Sequence, residues 1–68
     1  MIRCQVISSD IASVGYANGV LEIQFHSGGI YQYDNVPESI YHLLKGSAHP
    51  GIFFNENIKP YYHYTRVK

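Results

Sequence analysis

Val14-Gly15-Tyr16-Ala17-Asn18-Gly19-Val20-Leu21-Glu22-Ile23-Gln24-Phe25 is the stretch on which the fold turns. Both central residues of a type I′ hairpin turn need positive φ, and asparagine followed by glycine tolerates it best. A two-residue loop at Asn18-Gly19 pairs Ala17 with Val20. Counting outward, Tyr16 faces Leu21, Val14 faces Ile23 and Ala12 faces Phe25, while Gly15 and Ser13 oppose Glu22 and Gln24. One face of the ribbon is apolar and the other polar, the pattern of a sheet with one side in a core.

The next reversal lies at Ser27-Gly28-Gly29. Closed as a three-residue loop with a glycine in the left-handed region, it pairs Phe25 with Tyr31 and Ile23 with Tyr33, extending the apolar face into a three-strand meander. A two-residue loop at Gly28-Gly29 would instead turn both tyrosines to the polar side, because a one-residue slip exchanges the faces. The three-residue loop is the preferred reading.

Outside the meander, Val36-Pro37-Glu38-Ser39 reads as a helix start, with proline at the first position and a carboxylate in the first turn. The spacing predicts a helix over Pro37–Lys45, stopped by Gly46, with Ile40, Leu43 and Leu44 buried and Tyr41, His42 and Lys45 outward. From Gly46 to Gly51 a loop is expected, after which Phe53 and Phe54 drop toward the core, joined by Ile52. Pro60 precedes a last strand over Tyr61–Val67, and Ile2, Cys4 and Val6 alternate as one more short strand. The expected fold class is α+β: a small curved antiparallel β-sheet, the meander plus terminal strands, with one packed α-helix. Whether the sheet closes partly into a barrel is left open by the pattern.

Size and composition set the bounds. A chain of 68 residues reads as a single domain over 1–68, and one this small buries only about 60% of its unfolded surface. With 46% apolar and aromatic residues but only 15% charged, it reads as folded rather than disordered. A single cysteine excludes an internal disulfide, no apolar run reaches the roughly 18 residues of a membrane helix, and Met1-Ile2-Arg3-Cys4 is unlike a secretory leader. A reducing cytoplasm is the expected compartment. Five basic and five acidic side chains cancel, so no global field draws in phosphate polymers. Lys59, Arg66 and Lys68 nevertheless leave a local basic edge near the C-terminus.

In order and spacing, several motifs together resemble the KTSC domain: Val6-Ile7-Ser8-Ser9 with Ile11, Val14-Gly15-Tyr16, Leu21-Glu22-Ile23, Tyr31-Gln32-Tyr33, Val36-Pro37, Tyr41 with Leu44, Phe54-Asn55 and Ile58-Lys59. The resemblance covers nearly the whole chain. It implies a small module of the kind found at the C-terminus of some lysyl-tRNA synthetases and as free-standing bacterial or phage proteins, and that association implies RNA binding. Two positions depart from the family pattern: His49-Pro50-Gly51 stands where relatives carry Ser-Lys-Gly, and Pro60-Tyr61 replaces a basic approach to the last tyrosines. Both changes remove positive charge.

Single-stranded RNA is held by aromatic faces on which bases stack and by cations along the phosphates. The residues that offer these are Tyr31, Tyr33, Tyr62, Tyr64, Lys59 and Arg66. Packing is the first explanation for Tyr16, Tyr31 and Tyr33, since a chain without tryptophan fills its core with phenol rings whose hydroxyls reach the surface. The expected function is a non-enzymatic binding module for RNA or a ribonucleoprotein partner. The alternative is a protein-interaction domain, a homo-oligomer that pairs sheet edges or buries Tyr41 and Tyr61. No metal or cofactor is expected, because His26, His42, His49, His63 and Cys4 lack zinc-site spacings. Ser8-Ser9-Asp10 reads as turn-forming and not catalytic, Glu38 with His42 as a surface pair, Asn55 as a turn former, and Asp10, Glu22 and Asp34 as solvated carboxylates.

Overall fold

Five strands form one antiparallel sheet in the order β1-β2-β3-β4-β5, with β1 and β5 as open edges, in a computed structural model that describes residues 1–68. The strands are β1 (Arg3–Gln5), β2 (Ile11–Ala17), β3 (Val20–Phe25), β4 (Ile30–Tyr33) and β5 (Tyr64–Arg66); the helices α1 (Glu38–Gly46) and α2 (Pro50–Asn57) lie between β4 and β5. The sheet is therefore not a barrel. The first hairpin has the expected register: Ala17 pairs with Val20, Tyr16 with Leu21 and Val14 with Ile23, across a turn where Asn18 and Gly19 have φ of 52° and 82°.

Past Ser13 the ladder departs from regular pairing. Ile11, not Ala12, faces Phe25, because a β-bulge shifts the register between Ile11 and Ser13. The extra residue returns the larger side chain to the apolar face, where Ile11 is fully buried. Each Å² of apolar surface removed from water contributes roughly 25 cal/mol, which favours burying isoleucine over alanine.

The second reversal keeps the expected face but shifts the pairing by two. Ile23 pairs with Tyr31 and Leu21 with Tyr33, since the loop is His26-Ser27-Gly28, closed by the Phe25 N–H donating to the Gly29 carbonyl at 2.9 Å. Gly28 has φ of 105°. Gly29 serves clearance instead: a Cβ there would stand 3.0 Å from Tyr31 Cε1. Both tyrosines thus lie on the core side, with Tyr33 3% exposed.

Ile11, Val14, Leu21, Ile23, Tyr33, Val36, Tyr41, Leu44, Phe54 and Ile58 form the core. Helix α1 is rotated about one residue from expectation. Tyr41 and Leu44 are buried, and Leu43 is 57% exposed. Tyr41 stacks on Tyr16 with centroids 5.3 Å apart, the Tyr16 hydroxyl donates to the Val36 carbonyl at 2.5 Å, and Lys45 Nζ caps the Tyr41 ring at 4.8 Å. That platform buries Tyr41, expected outward, against its own chain. Pro37 takes the N-cap position with extended backbone, whereas Pro50 occupies the first turn of α2.

The expected loop is shorter than read, over 47–49, and helix α2 begins at Pro50 where no second helix was expected. It brings Phe54 inward and ends on buried Ile58, leaving Ile52 57% exposed. Asn55 consequently stands on a helix and not in a tight turn. The last strand is shorter than expected: the segment over 58–62 is a turn, with the Tyr62 N–H donating to the Ile58 carbonyl at 3.2 Å, and only Tyr64–Arg66 pairs with β4.

The reverse face of the sheet is not uniformly wet. Glu22 is only 8% exposed, and its carboxylate accepts from Arg3 Nη1 at 2.6 Å and from Gln32 Nε2 at 2.9 Å. These partners, Gln32 foremost, hold its pKa below the ordinary 4.5 although burial pushes the other way. Ser13 beside it donates to Gln24 Oε1 at 2.9 Å. The solvated carboxylate read from the sequence is a buried polar network.

Candidate nucleic-acid interface

A cleft of about 590 Å³ opens between the start of β2, the β3–β4 hairpin, α2 and β5. Its apolar wall is a chain of rings. Phe25 meets Tyr31 and Phe54 edge-on at 5.5 and 5.6 Å, Phe54 meets Tyr33 at 5.4 Å, and Tyr64 leans on both Tyr31 and Tyr33 at 5.5 and 5.7 Å. Register places them so, because Tyr64 pairs with Tyr33 and Arg66 with Tyr31, putting all four on one face. Tyr33 and Phe54 are the buried floor, while Tyr31 is half-buried and Tyr64 53% exposed.

Burial, together with the neighbouring Tyr64 and Tyr31 phenols, pushes the Tyr33 pKa up to about 12. Its hydroxyl therefore stays neutral across the physiological range. Polar groups rim the rings: Ser9, Asp10, His26 and Ser27 on one side, Asn55 and Lys59 on α2 and its exit. Arg66 Cζ stands 5.6 Å from the Tyr31 ring centre, its Nε donating to the Lys68 carbonyl at 2.9 Å. A guanidinium so placed adds cation–π attraction and presents its other N–H groups to solvent.

Of the six residues read from the sequence, Tyr31, Tyr33, Tyr64 and Lys59 line this cleft, and Arg66 packs on its Tyr31 wall. Tyr62 does not line it; it is half-buried against the core. Sequence reasoning missed the polar side. Ser8 Oγ accepts from the N–H groups of Asp10 and Ile11, both at 3.2 Å, forming the turn expected of a Ser-Ser-Asp cluster. His26 is held against that turn: its Nε2 donates to the Ser8 carbonyl at 3.0 Å and its N–H to the Asp10 carbonyl at 2.9 Å. The other histidines are scattered, His42 by Glu38 at 3.5 Å and His63 by Asp34 at 3.6 Å, both solvent-facing. No group of three His, Cys, Asp or Glu side chains converges as metal ligands would.

An antiparallel sheet backed by two short helices, with a ring-lined cleft at one end, defines the class: a small α+β domain with a concave aromatic site. The sequence pattern of the KTSC domain matches residues 7–64, and the chain belongs to that family. It is 38% identical to a KTSC domain protein from Yersinia pestis, whose crystal structure superposes with a TM-score of 0.94 over 98% of this chain and 97% of that one. An uncharacterized protein of Stutzerimonas stutzeri (strain A1501) is 36% identical, covering 98% of this chain and 99% of its own length.

Proposed function

We propose that this chain is a non-enzymatic binding module that holds single-stranded RNA in the ring-lined cleft. The observation that carries the reading is convergence. Tyr31 from β4 meets Lys59, Tyr64 and Arg66 from the C-terminal stretch at one concavity, with aromatic surface inside and cations at the edge. Bases stacked on such rings contribute about 1 to 3 kcal/mol each, and the cations track phosphates. The zero net charge favours a short site over non-specific coating of long polymers. A reducing cytoplasm suits both RNA and the exposed free Cys4.

Fluorescence polarisation of a labelled single-stranded RNA at low salt tests this. Affinity should fall with salt, and the log–log slope should shrink by about 0.7 for each of Lys59→Ala and Arg66→Ala, the single-strand value per phosphate contact. Absence of binding to any sequence at low salt refutes the reading.

A second reading, self-association, draws support from the two open sheet edges and from Ile2 and Ile7, which are 89% and 97% exposed beside β1. It requires a mass above the 7.8 kDa of one chain. A strictly monomeric sedimentation profile at high concentration rules it out.

A further inference from the structure

We propose that the cleft selects guanine, with the Asp10 carboxylate as the group that reads the base; this rests on the RNA reading above and names the base it takes. Asp10 is held in place from both ends of its own peptide. Its N–H donates to Ser8 Oγ at 3.2 Å and its carbonyl accepts from the His26 N–H at 2.9 Å. Asp10 is one of the residues lining the cleft, and its side chain takes part in none of the protein's ion pairs.

The room it occupies exists because residue 51 is glycine. A Cβ there would stand 3.2 Å from Asp10 Oδ2 and 3.4 Å from Ser8 Oγ, so a side chain at residue 51 would press on the carboxylate. That position lies in the first turn of α2, whose peptide dipoles favour a negative charge.

An ionised carboxylate only accepts hydrogen bonds, and its two oxygens suit two parallel N–H donors. Guanine presents that pair, N1–H beside the 2-amino group, on its Watson–Crick edge. Adenine, cytosine and uracil each set a lone N–H next to an acceptor, which would face a carboxylate oxygen.

Polarisation titrations with four short oligouridines settle it, one unmodified and the others carrying a single guanosine, adenosine or inosine. The guanosine oligomer should bind about 5-fold tighter or better, the lower end of what a bidentate base contact gives. Inosine, lacking the 2-amino group, should lose most of that gain on the unaltered protein, and Asp10→Asn should bring guanosine and plain oligouridine to equal affinity. If all four bind alike, guanine selection is wrong and the RNA reading stands. A guanosine preference that survives Asp10→Asn overturns the role of Asp10. If none binds, both proposals fail together.

Discussion

Tyr31 and Tyr33 stand two residues apart on one strand face and have separate tasks. Tyr33 is floor and Tyr31 is wall, so their replacement should separate stability from binding. Tyr33→Ala should destabilise by about 3 to 5 kcal/mol, the cost of emptying a core aromatic site, and chemical denaturation followed by circular dichroism would show it. The Tyr33 titration offers a second check. Unfolded, its phenol ionises near the ordinary 10.0; folded, at about 12. A raised pKa gives stability that is complete below the unfolded value and declines as pH climbs toward the folded one. Absorbance titration should therefore find one of the seven tyrosines lagging, and Tyr33→Phe should remove the laggard. On the reverse face the sign is opposite. Glu22 has a lowered pKa, so its contribution is present above 4.5 and lost as pH falls through its folded value. Arg3→Ala should cost about 1.5 to 3 kcal/mol at neutral pH, the range for a hydrogen bond to a charged group, and should flatten the acid limb of the stability profile.

Among the elements, the first hairpin and its turn were legible in the sequence because Asn18-Gly19 dictates both turn type and register. The bulge at Ala12 was not. Alternation alone assigns faces by parity, and only the relative size of Ile11 and Ala12 hinted that parity breaks there. The second loop was read one residue late at each end, since two adjacent glycines offer two closures and the clearance that Tyr31 demands of Gly29 appears only in three dimensions. Helix α1 was located but rotated: leucines were preferred to a tyrosine whose stacking partner, Tyr16, comes from another strand. Helix α2 escaped notice because His49 makes no side-chain cap and Phe53, Phe54 and the asparagines show no clear stripe; Pro50 in its first turn was the available signal. Phe54→Ala tests the weight of this helix. Its ring touches both Phe25 and Tyr33, so the expected loss of about 3 to 5 kcal/mol approaches the whole stability of a domain this small. Ile52→Ser, on the exposed side, should change stability by less than about 0.5 kcal/mol.

For the molecule as a whole, the meander order places β2 and β3 at the centre of the protected structure, with three-residue strands at each edge. Native-state hydrogen exchange should find the slowest amides in β2 and β3 and early opening of β1 and β5. The site inherits that gradient. Tyr31 and Tyr33 ride on β4, while Tyr64 and Arg66 ride on the weakly held edge, so bound RNA should slow exchange in β5 more than in β2. Half the cleft was legible in advance because aromatic and basic residues advertise their chemistry by type. The other half, Ser9, Asp10 and His26, was not, because a serine–aspartate turn looks the same whether it faces open water or a concave wall.

The surplus residue in β2 ties the hydrophobic interior to the rim of the cleft. By restoring Ile11 to the inside it also sets the direction in which the backbone leaves the sheet toward Ser8 and Asp10. Excision of Ala12 would force the strand to choose between losing its isoleucine anchor and swinging the aspartate out of line. Under the guanine proposal, a one-codon deletion there would shift base preference with every contacting side chain still present.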